Sequence, residues 1–282
     1  MAILTYYNGV FGDAETMTVP LLNRTVYFGD GCYDAAFTIG NGILDLEDHV
    51  ERFFNSMKYI RIEPDFTREE LTELLKECLK KSGAAFGLLY WQIDRGTAPR
   101  NHCFPTGDVK PDLLISVYPK KGYADMMTPG SAITFEDKRY LYCNVKTLNL
   151  LPNVLANQAA VDAGVTESFF VRPGGIVTEG SHTNVLILKD GVLRTHETGE
   201  YILPGITRKH VIICAKELGI PVEEKAFTVD ELMEADEIFI SGSSTLTHRI
   251  GSVNGKPAGL KDEALYRKLT DAYMAHIKES AR

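Results

Sequence analysis

The stretch FGLLYWQI, residues 86–93, sets the class of this chain. A short, mostly apolar run rich in aromatic and branched side chains is typical of a buried strand. LLISVY, residues 113–118, has the same character, and residues 97–110 between the two runs are rich in Pro, Gly and His. We therefore expect two buried strands joined by a long loop.

Two helices are predicted before these strands. The first follows Asp45, and the second opens with TREE, residues 67–70, a capping box in which Thr and Glu side chains satisfy free backbone N–H groups. Apolar residues recur along both segments at helical spacing. They are Val50, Phe53, Phe54, Met57 and Ile60 in the first helix, and Leu71, Leu74, Leu75 and Cys78 in the second.

A second block of strands and helices follows. Residues 184–188 and 192–196 flank Lys-Asp-Gly and predict a β-hairpin. Residues 207–218 predict a helix that stops at Gly219, and residues 237–241 predict a strand. Mixed strands and helices in two blocks predict an α/β (α+β) fold with two domains.

The domain boundaries are placed where periodicity is lost. Residues 121–130 are rich in turn formers and predict an interdomain linker. We expect an N-terminal α/β domain over residues 1–120 and a C-terminal domain over residues 131–282. The latter ends in an amphipathic helix at residues 262–278.

Composition limits the classes of partner. The 282 residues carry a formal net charge of −8, without the basic footprint of nucleic-acid binding, and we expect neither a nucleic-acid nor a membrane partner. The five cysteines form no CxxC pair, so we expect reduced thiols and no metal site. We find neither a signal-peptide pattern nor a membrane-spanning apolar run, and we expect a cytoplasmic protein.

Two segments have the pattern of a phosphate site. GIT, residues 205–207, stands just before a helix, whose N-terminus offers free backbone N–H groups and here a hydroxyl. SGSST, residues 241–245, directly follows a predicted strand and combines glycine with hydroxyl side chains. A plain helix N-cap and a polar turn are the alternatives, because most capped helix starts bind nothing.

Lys146 and Glu179 are candidate reactive groups. Lys146 stands in the mostly apolar CNVKTLNLL, residues 143–151, where partial desolvation favours the uncharged amine that a Schiff-base lysine needs. The alternative is an exposed lysine on an amphipathic strand. Glu179 stands in VTEGS, residues 177–181. Such a carboxylate is usually solvated, but one that faced a pyridine nitrogen would hold that nitrogen protonated.

Basic side chains crowd RGTAPRNH, residues 95–102. An arginine fork holds a carboxylate through two hydrogen bonds, and a neighbouring histidine adds a donor. Arg95, Arg100 and His102 are therefore candidates for binding a substrate carboxylate. A solvated basic loop is the alternative, and the local pattern leaves both open.

Together these segments resemble the fold-type IV pyridoxal phosphate enzymes, and among them the bacterial D-amino-acid transaminases. The resemblance implies the two-domain fold-type IV PLP-dependent aminotransferase architecture, with most cofactor contacts in the C-terminal domain. The similar segments run in order along nearly the whole chain: FGDGCYD (28–34), HVER (49–52), RGTAPRNH (95–102), VKTLNLL (145–151), VTEGS (177–181) and LPGITR (203–208).

The resemblance implies pyridoxal 5′-phosphate as cofactor and assigns roles. Lys146 carries the cofactor as a Schiff base and later moves the substrate proton, while Glu179 pairs with the pyridine nitrogen. Arg139, seven residues before the lysine, lies near the cofactor's phenolic oxygen. The phosphate cup and the support of the ring fall to Arg52, Leu203, Gly205, Ile206, Thr207, Gly242 and Ser243.

The resemblance further implies a trap for the substrate α-carboxylate. It is formed by Tyr33, Arg100 and His102, and its Arg and His come from the partner subunit. We therefore expect a homodimer whose sites are completed across the interface.

The implied reaction is ping-pong transamination between a D-amino acid such as D-alanine and a 2-oxo acid such as 2-oxoglutarate. A branched-chain L-amino-acid transaminase and a 4-amino-4-deoxychorismate lyase are the alternatives of the same fold. The Arg-x-His pattern of Arg100 and His102 separates the D-branch from the first of these. A non-catalytic binding protein is a further alternative, which would be expected to lack Lys146.

Several positions depart from the D-branch. Gly242 stands where relatives usually have Ser, and residues 35–38 and 246–248 differ from the pattern expected there. These positions line or support the side-chain pocket or the phosphate cup, so the preferred D-amino acid stays open.

Overall fold

The computed structural model describes residues 3–123 and 125–281, in which strands and helices alternate along the chain. The strands are β1 Leu4–Tyr7, β2 Val10–Asp13, β3 Gly31–Ile39, β4 Gly42–Ile43, β5 Phe86–Asp94, β6 Asp112–Pro119, β7 Gly130–Glu136, β8 Glu167–Arg172, β9 Ile176–Gly180, β10 Asn184–Lys189, β11 Val192–Thr195, β12 Val222–Glu224, β13 Phe227–Thr228, β14 Glu237–Gly242, β15 Leu246–Val253 and β16 Lys256–Pro257. The helices are α1 Arg24–Phe28, α2 Leu46–Tyr59, α3 Arg68–Ser82, α4 Leu151–Asp162, α5 Ile206–Glu217, α6 Val229–Glu234 and α7 Glu263–Ser280.

The chain folds into two units. The first takes the described residues of Met1–Gly122, Val145–Asn149 and Glu279–Arg282. The second takes those of Tyr123–Asn144 and Leu150–Lys278. The chain thus returns to the first unit for five residues, and this return places Lys146 there.

The sheet of the first unit has the strand order β2-β1-β6-β5-β3-β4. The predicted strands at residues 86–93 and 113–118 are confirmed as β5 and β6, which pair antiparallel. β5 also pairs along its whole length with β3, from Phe86 opposite Ile39 to Asp94 opposite Gly31. The indole of Trp91 on β5 is fully buried in the core of this unit. The aromatic run therefore supplies the centre of the sheet.

Helices α2 and α3 cover this sheet and confirm the predicted helical periodicity. Thr67 and Glu70 form the predicted capping box at the start of α3. The inward residues of both helices belong to one core with the strands. They include Val50, Phe53, Met57, Leu71, Leu75 and Cys78. The two helices are thus fixed by a buried apolar face, which is the usual source of helix stability in proteins.

The sheet of the second unit has the strand order β12-β11-β10-β14-β15-β7-β8-β9-β13, with β16 paired to β15. The predicted hairpin is confirmed as β10 and β11, and the predicted strand at residues 237–241 is confirmed as β14. β7 runs parallel to both β15 and β8, and α4 connects β7 to β8. Such a crossover is what parallel neighbours require.

The ends of two predicted helices differ by one or two residues from the structure. The helix predicted at residues 207–218 is α5, Ile206–Glu217, and the closing helix predicted at residues 262–278 is α7, Glu263–Ser280. Such shifts are expected because helix ends fray. Among the described residues, no helix combines the length and the apolar character needed to cross a membrane.

Candidate active site

Lys146 lies beside β3 of the first unit. The N–H of Tyr33 donates to the Lys146 carbonyl at 2.8 Å, and the N–H of Lys146 donates to Ser56 Oγ at 3.3 Å. Val145 next to it is 3% exposed, and Thr147 forms a backbone bridge with Cys32. The backbone of Lys146 is therefore anchored on both sides, although the residue belongs to no helix or strand.

The Lys146 side chain is half-buried and points at an aromatic face. Its Nζ lies 4.4 Å from the centre of the Tyr33 ring. The Tyr33 ring stacks on Tyr90 with centroids 5.3 Å apart, and the Tyr90 hydroxyl donates to Gln92 Oε1 at 2.7 Å. The amine therefore contacts Tyr33 on β3, and Tyr90 and Gln92 on β5 hold the Tyr33 ring in place.

Arg52 is held by a buried carboxylate on β3. Its Nε donates to Asp34 Oδ2 at 2.9 Å and its Nη2 donates to Asp34 Oδ1 at 2.7 Å. His49 Nδ1 lies 2.7 Å from the same Oδ1. Burial alone would raise the pKa of Asp34, but the charges and hydrogen bonds of Arg52 and His49 bring that pKa far below its ordinary value. Asp34 is therefore an anion that fixes the Arg52 fork.

Arg100 and His102 lie exposed on the loop between β5 and β6. The Phe28 ring contacts both, with its centre 5.2 Å from Arg100 Cζ and 5.3 Å from the centre of the His102 ring. Arg24 Nη1 donates to the Asn101 carbonyl between them at 2.7 Å. Helix α1, which carries Arg24 and Phe28, thus fixes the position of this loop.

Arg95, the third basic residue of this segment, is engaged elsewhere. It donates to Asp30 through Nε and Nη2 at 3.0–3.2 Å and to the carbonyls of Ile60 and Arg61. Its Cζ lies 3.7 Å from the centre of the Phe104 ring. These contacts make Arg95 a structural residue, distinct from the Arg100 and His102 pair.

Glu179 lies near the end of β9 in the second unit and is 6% exposed. Its Oε1 accepts from Arg139 Nη1, and its Oε2 accepts from Asn184 Nδ2 at 3.1 Å and from the Leu203 N–H at 2.9 Å. Burial raises the pKa of Glu179, while Arg139 and the Leu203 N–H oppose that rise. The carboxylate is therefore not a solvated turn residue, which its local sequence alone would favour.

The N-terminus of α5 carries backbone donors that have no acceptor within the helix. Its N-cap is Gly205, which has no side-chain cap, so the N–H groups of Ile206 and Thr207 lack a helical acceptor. A Cβ at residue 205 would come within 2.0 Å of Asn184 Oδ1, so only glycine fits there. The Tyr273 hydroxyl donates to Thr207 Oγ1 at 3.4 Å. The structure thus retains the anion-binding character that the GIT segment predicts.

The C-terminal end of β14 supplies a buried hydroxyl. Ser241 Oγ is fully buried and has no hydrogen-bond partner among residues 3–123 and 125–281. Gly242 ends the strand and Ser243 begins the turn that follows, and both are half-buried. A buried hydroxyl without a partner costs free energy, so Ser241 is a candidate to donate a hydrogen bond to a bound ligand.

These groups fit pyridoxal 5′-phosphate in its chemistry. The free N–H groups of α5 and the unpaired Ser241 hydroxyl suit a phosphate, and a buried carboxylate suits a protonated ring nitrogen. A half-buried amine suits an aldehyde carbon. The residues present therefore provide each kind of partner that the cofactor needs.

Sequence reasoning missed several supporting residues. Asp34 stands in the quoted FGDGCYD segment, and Phe28 begins it, yet neither had a role. Asp137 and Asn184, which belong to the surroundings of Glu179, were also missed. The roles of these residues depend on contacts that only the fold creates. Asp34 binds Arg52, eighteen residues away, and Asn184 lies on a different strand from Glu179.

Comparisons with known proteins agree with this chemistry. The family model described as Amino-transferase class IV matches residues 31–253. A D-alanine aminotransferase of Staphylococcus epidermidis is 40% identical over 254 residues, 89% of each chain. A D-alanine aminotransferase of Staphylococcus haemolyticus is 38% identical over 277 residues, 97% of each chain.

A solved structure is also similar. The T.th. branched-chain amino acid aminotransferase, complexed with N-(5′-phosphopyridoxyl)-L-glutamate, superposes with a TM-score of 0.88 at 27% identity. The match covers 100% of this chain and 95% of that one. The likeness in fold therefore extends over the whole chain.

Proposed function

Because the chain belongs to the class IV aminotransferase family, we propose that it transfers an amino group between a D-amino acid such as D-alanine and a 2-oxo acid such as 2-oxoglutarate, with pyridoxal 5′-phosphate as cofactor. The fold class predicted from the sequence, the mixed α/β fold of fold-type IV, is confirmed. One observation carries the proposal: Lys146, which matches the family's cofactor lysine by its sequence motif, lies half-buried with its amine against the Tyr33 ring.

When bound, the cofactor supplies an electron sink for the negative charge that develops at the substrate Cα. Lys146 Nζ would hold the cofactor and then act as the base that moves the Cα proton. Glu179 would accept a hydrogen bond from the ring nitrogen and hold its proton.

The phosphate would be held by charge and by backbone donors. Arg52 supplies the cation, and the N–H groups of Ile206 and Thr207 at the start of α5 supply hydrogen bonds. Gly242 and Ser243 would complete the cup, and Leu203 would support the ring. Gly242 has no hydroxyl, and Ser241, whose hydroxyl has no partner among residues 3–123 and 125–281, would supply a further donor to the cup.

Stereochemistry would follow from the carboxylate trap. Tyr33, Arg100 and His102 would fix the substrate carboxylate, so that only one enantiomer directs its Cα hydrogen at Lys146 Nζ. Arg100 and His102 are exposed, which fits a role completed by another subunit. We propose that they serve the partner's site in a homodimer.

The homodimer is supported by apolar side chains that lie exposed. On α4 of the second unit these are Leu151, Val154, Leu155 and Val161, each more than half exposed. In the first unit Leu21 and Val26 are exposed to 75% and 52%. Such apolar surface is characteristic of subunit interfaces.

A cytoplasmic location and the domain limits of 1–120, 121–130 and 131–282 stay predictions.

A substrate panel tests the proposed reaction. Purified protein loaded with pyridoxal 5′-phosphate is assayed with D-alanine and separately with L-leucine, each with 2-oxoglutarate. We expect turnover with D-alanine and little with L-leucine. The reverse preference would favour the branched-chain alternative, the class of the similar T.th. aminotransferase structure. Product formed without a 2-oxo acid would favour the lyase.

Complementation tests the shared site. Lys146→Ala and Arg100→Ala are each expected to lack activity, and mixing them under exchange conditions forms heterodimers with one intact site. Random pairing then restores about a quarter of wild-type activity. A mixture that stays inactive while native mass spectrometry of differently tagged chains shows heterodimers would contradict a trap completed by the partner.

A further inference from the structure

Glu179 has most of its hydrogen-bonding capacity already in use. An ionised carboxylate accepts about four hydrogen bonds, two on each oxygen. Oε2 accepts from Asn184 and from the Leu203 N–H, and Oε1 accepts from Arg139 Nη1. The bonds from residues 3–123 and 125–281 therefore leave one acceptor position, and it is on Oε1, the oxygen that Arg139 binds.

We propose that Arg139, braced by Asp137, is a positioning residue that directs Oε1 of Glu179 at the cofactor's ring nitrogen and keeps Glu179 anionic. The inference rests on the proposed function, because it assumes a ring nitrogen at Glu179. It assigns to Arg139 a role in setting the protonation of that pair, which the position of Arg139 in the sequence did not indicate.

Arg139 is itself fully engaged in the second unit. Nε donates to Asp137 Oδ1 at 3.0 Å and Nη2 donates to Asp137 Oδ2 at 2.9 Å. Nη2 also donates to Thr178 Oγ1 and to the Tyr201 carbonyl, each at 3.2 Å. The guanidinium stands 4.1 Å from the centre of the Phe170 ring. These contacts leave Nη1 directed at Glu179.

Asp137 prevents Arg139 from turning away. It accepts from the backbone N–H of Arg139 at 3.1 Å as well as from its guanidinium. Its Oδ2 also accepts from Arg172 Nε at 3.1 Å and from the Thr178 hydroxyl at 3.0 Å. A two-point contact of this kind fixes the plane of a guanidinium. The orientation of Nη1 is therefore set before any ligand binds.

The charges around Glu179 oppose one another. Burial raises the pKa of Glu179, Arg139 lowers it by its charge and hydrogen bond, and Asp137 raises it. Cys143 also lies in this field, and burial raises the pKa of its thiol to about 11, so it is neutral at working pH. Arg172 faces Asp137. Of these groups, Arg139 is the cation in direct contact with Glu179.

The experiment compares a neutral and a charged replacement. Arg139→Gln removes the cation and keeps donors, so the pKa of Glu179 rises and its anion is lost at higher pH. We expect the acid-side midpoint of the cofactor's visible absorbance, and of kcat/KM against pH, to move up by about one pH unit or more. Arg139→Lys keeps the charge and is expected to stay within about a third of that shift.

Two further variants secure the interpretation. Arg194 lies on β11 of the same unit and pairs with Glu223 and Glu231. The pH midpoint of Arg194→Gln should therefore match that of the wild type. Asp137→Asn leaves one oxygen where two hold the guanidinium, so Arg139 is free to turn away from Glu179. Because Arg139 affects the pKa of Glu179 more than Asp137 does, the midpoint should again move to higher pH, which keeps the inference testable should Arg139→Gln not fold.

The outcomes separate the inference from the proposed function. Wild-type protein that binds no pyridoxal 5′-phosphate, or does not transaminate D-alanine, would overturn the proposed function. Active wild type with an unchanged midpoint in Arg139→Gln would overturn this inference alone. The same holds if Arg139→Lys shifts as far as Arg139→Gln, or if Asp137→Asn leaves the midpoint unchanged or moves it down.

Discussion

Arg52 and Asp34 form a two-point ion pair in the first unit, with Nε to Oδ2 at 2.9 Å and Nη2 to Oδ1 at 2.7 Å. The pair joins α2 to β3, the strand whose Tyr33 lies against Lys146. Asp34 is wholly inaccessible to solvent, so its charge depends on Arg52 and His49. The residue proposed to bind the phosphate is thus also part of the framework of the sheet.

Replacing Asp34 with Asn is expected to weaken both stability and cofactor binding. Removing one partner of a buried ion pair costs about 3 kcal/mol, because the other charge stays buried. Chemical denaturation measures the first effect, and absorbance titration with pyridoxal 5′-phosphate measures the second. Glu73→Gln, which removes an exposed partner of Lys76, should change stability by less than about 1 kcal/mol. Equal effects of the two variants would contradict the role of Asp34.

Stability is expected to fall on the acid side. The pKa of Asp34 is lowered by folding, so its contribution is fully present above the unfolded value of about 3.9 and is lost as pH drops below it. Asp137 and Asp30, whose pKa values are also lowered beside arginines, add to the same trend. The free energy of unfolding, measured from about pH 6 down to about pH 3, should therefore drop steeply near the lower end. A shallower drop in Asp34→Asn is required.

Ser241→Ala is expected to separate cofactor binding from stability. The hydroxyl has no partner within the part of the chain that the structure describes, so its loss should leave the melting temperature of the cofactor-free protein unchanged or higher. Loss of one hydrogen bond to phosphate should raise the cofactor Kd roughly fivefold to tenfold. Ser244→Ala, at an exposed neighbour, should change neither. An unchanged Kd in Ser241→Ala would remove this hydroxyl from the phosphate cup.

Phe28→Leu is expected to loosen the carboxylate trap. The Phe28 ring contacts Arg100 and His102, and each cation–π or ring contact is worth about 0.5–1 kcal/mol. KM for D-alanine should rise about threefold to tenfold with kcat changed less than twofold, since the lost effect is on binding. Phe104→Leu, on the same loop as Arg100 and His102, is the matched control, because its ring contacts Arg95 and Arg61 instead. Similar KM values for both variants would argue against a role of Phe28 in holding Arg100 and His102.

Local signals in the sequence predicted most elements. The apolar run at residues 86–93, the capping box at Thr67 and the hairpin around Gly191 each depend on neighbours in the chain, and each was confirmed. The nine-residue strand β3 had no such signal. Its glycine, cysteine and alanines carry little strand preference, and its pairing with β5 joins residues that are 47 to 63 positions apart.

The surroundings of the candidate site were less predictable. Glu179 stands next to glycine in a short polar segment, which favours a solvated turn, yet it is buried because Arg139, Asn184 and the Leu203 N–H satisfy it. Those partners lie 40, 5 and 24 residues away in sequence. Composition and periodicity carry no record of such long-range hydrogen bonds, so only the ordered motifs of a family could indicate them.

Peptide mass spectrometry after borohydride reduction of the cofactor-loaded protein tests the central claim most directly. Reduction fixes the bond between the cofactor's former aldehyde carbon and the amine that holds it. We predict a phosphopyridoxyl group on the peptide that contains Lys146, and none on that peptide in Lys146→Ala. A phosphopyridoxyl group on another lysine of the wild type, or on no residue at all, would contradict the account.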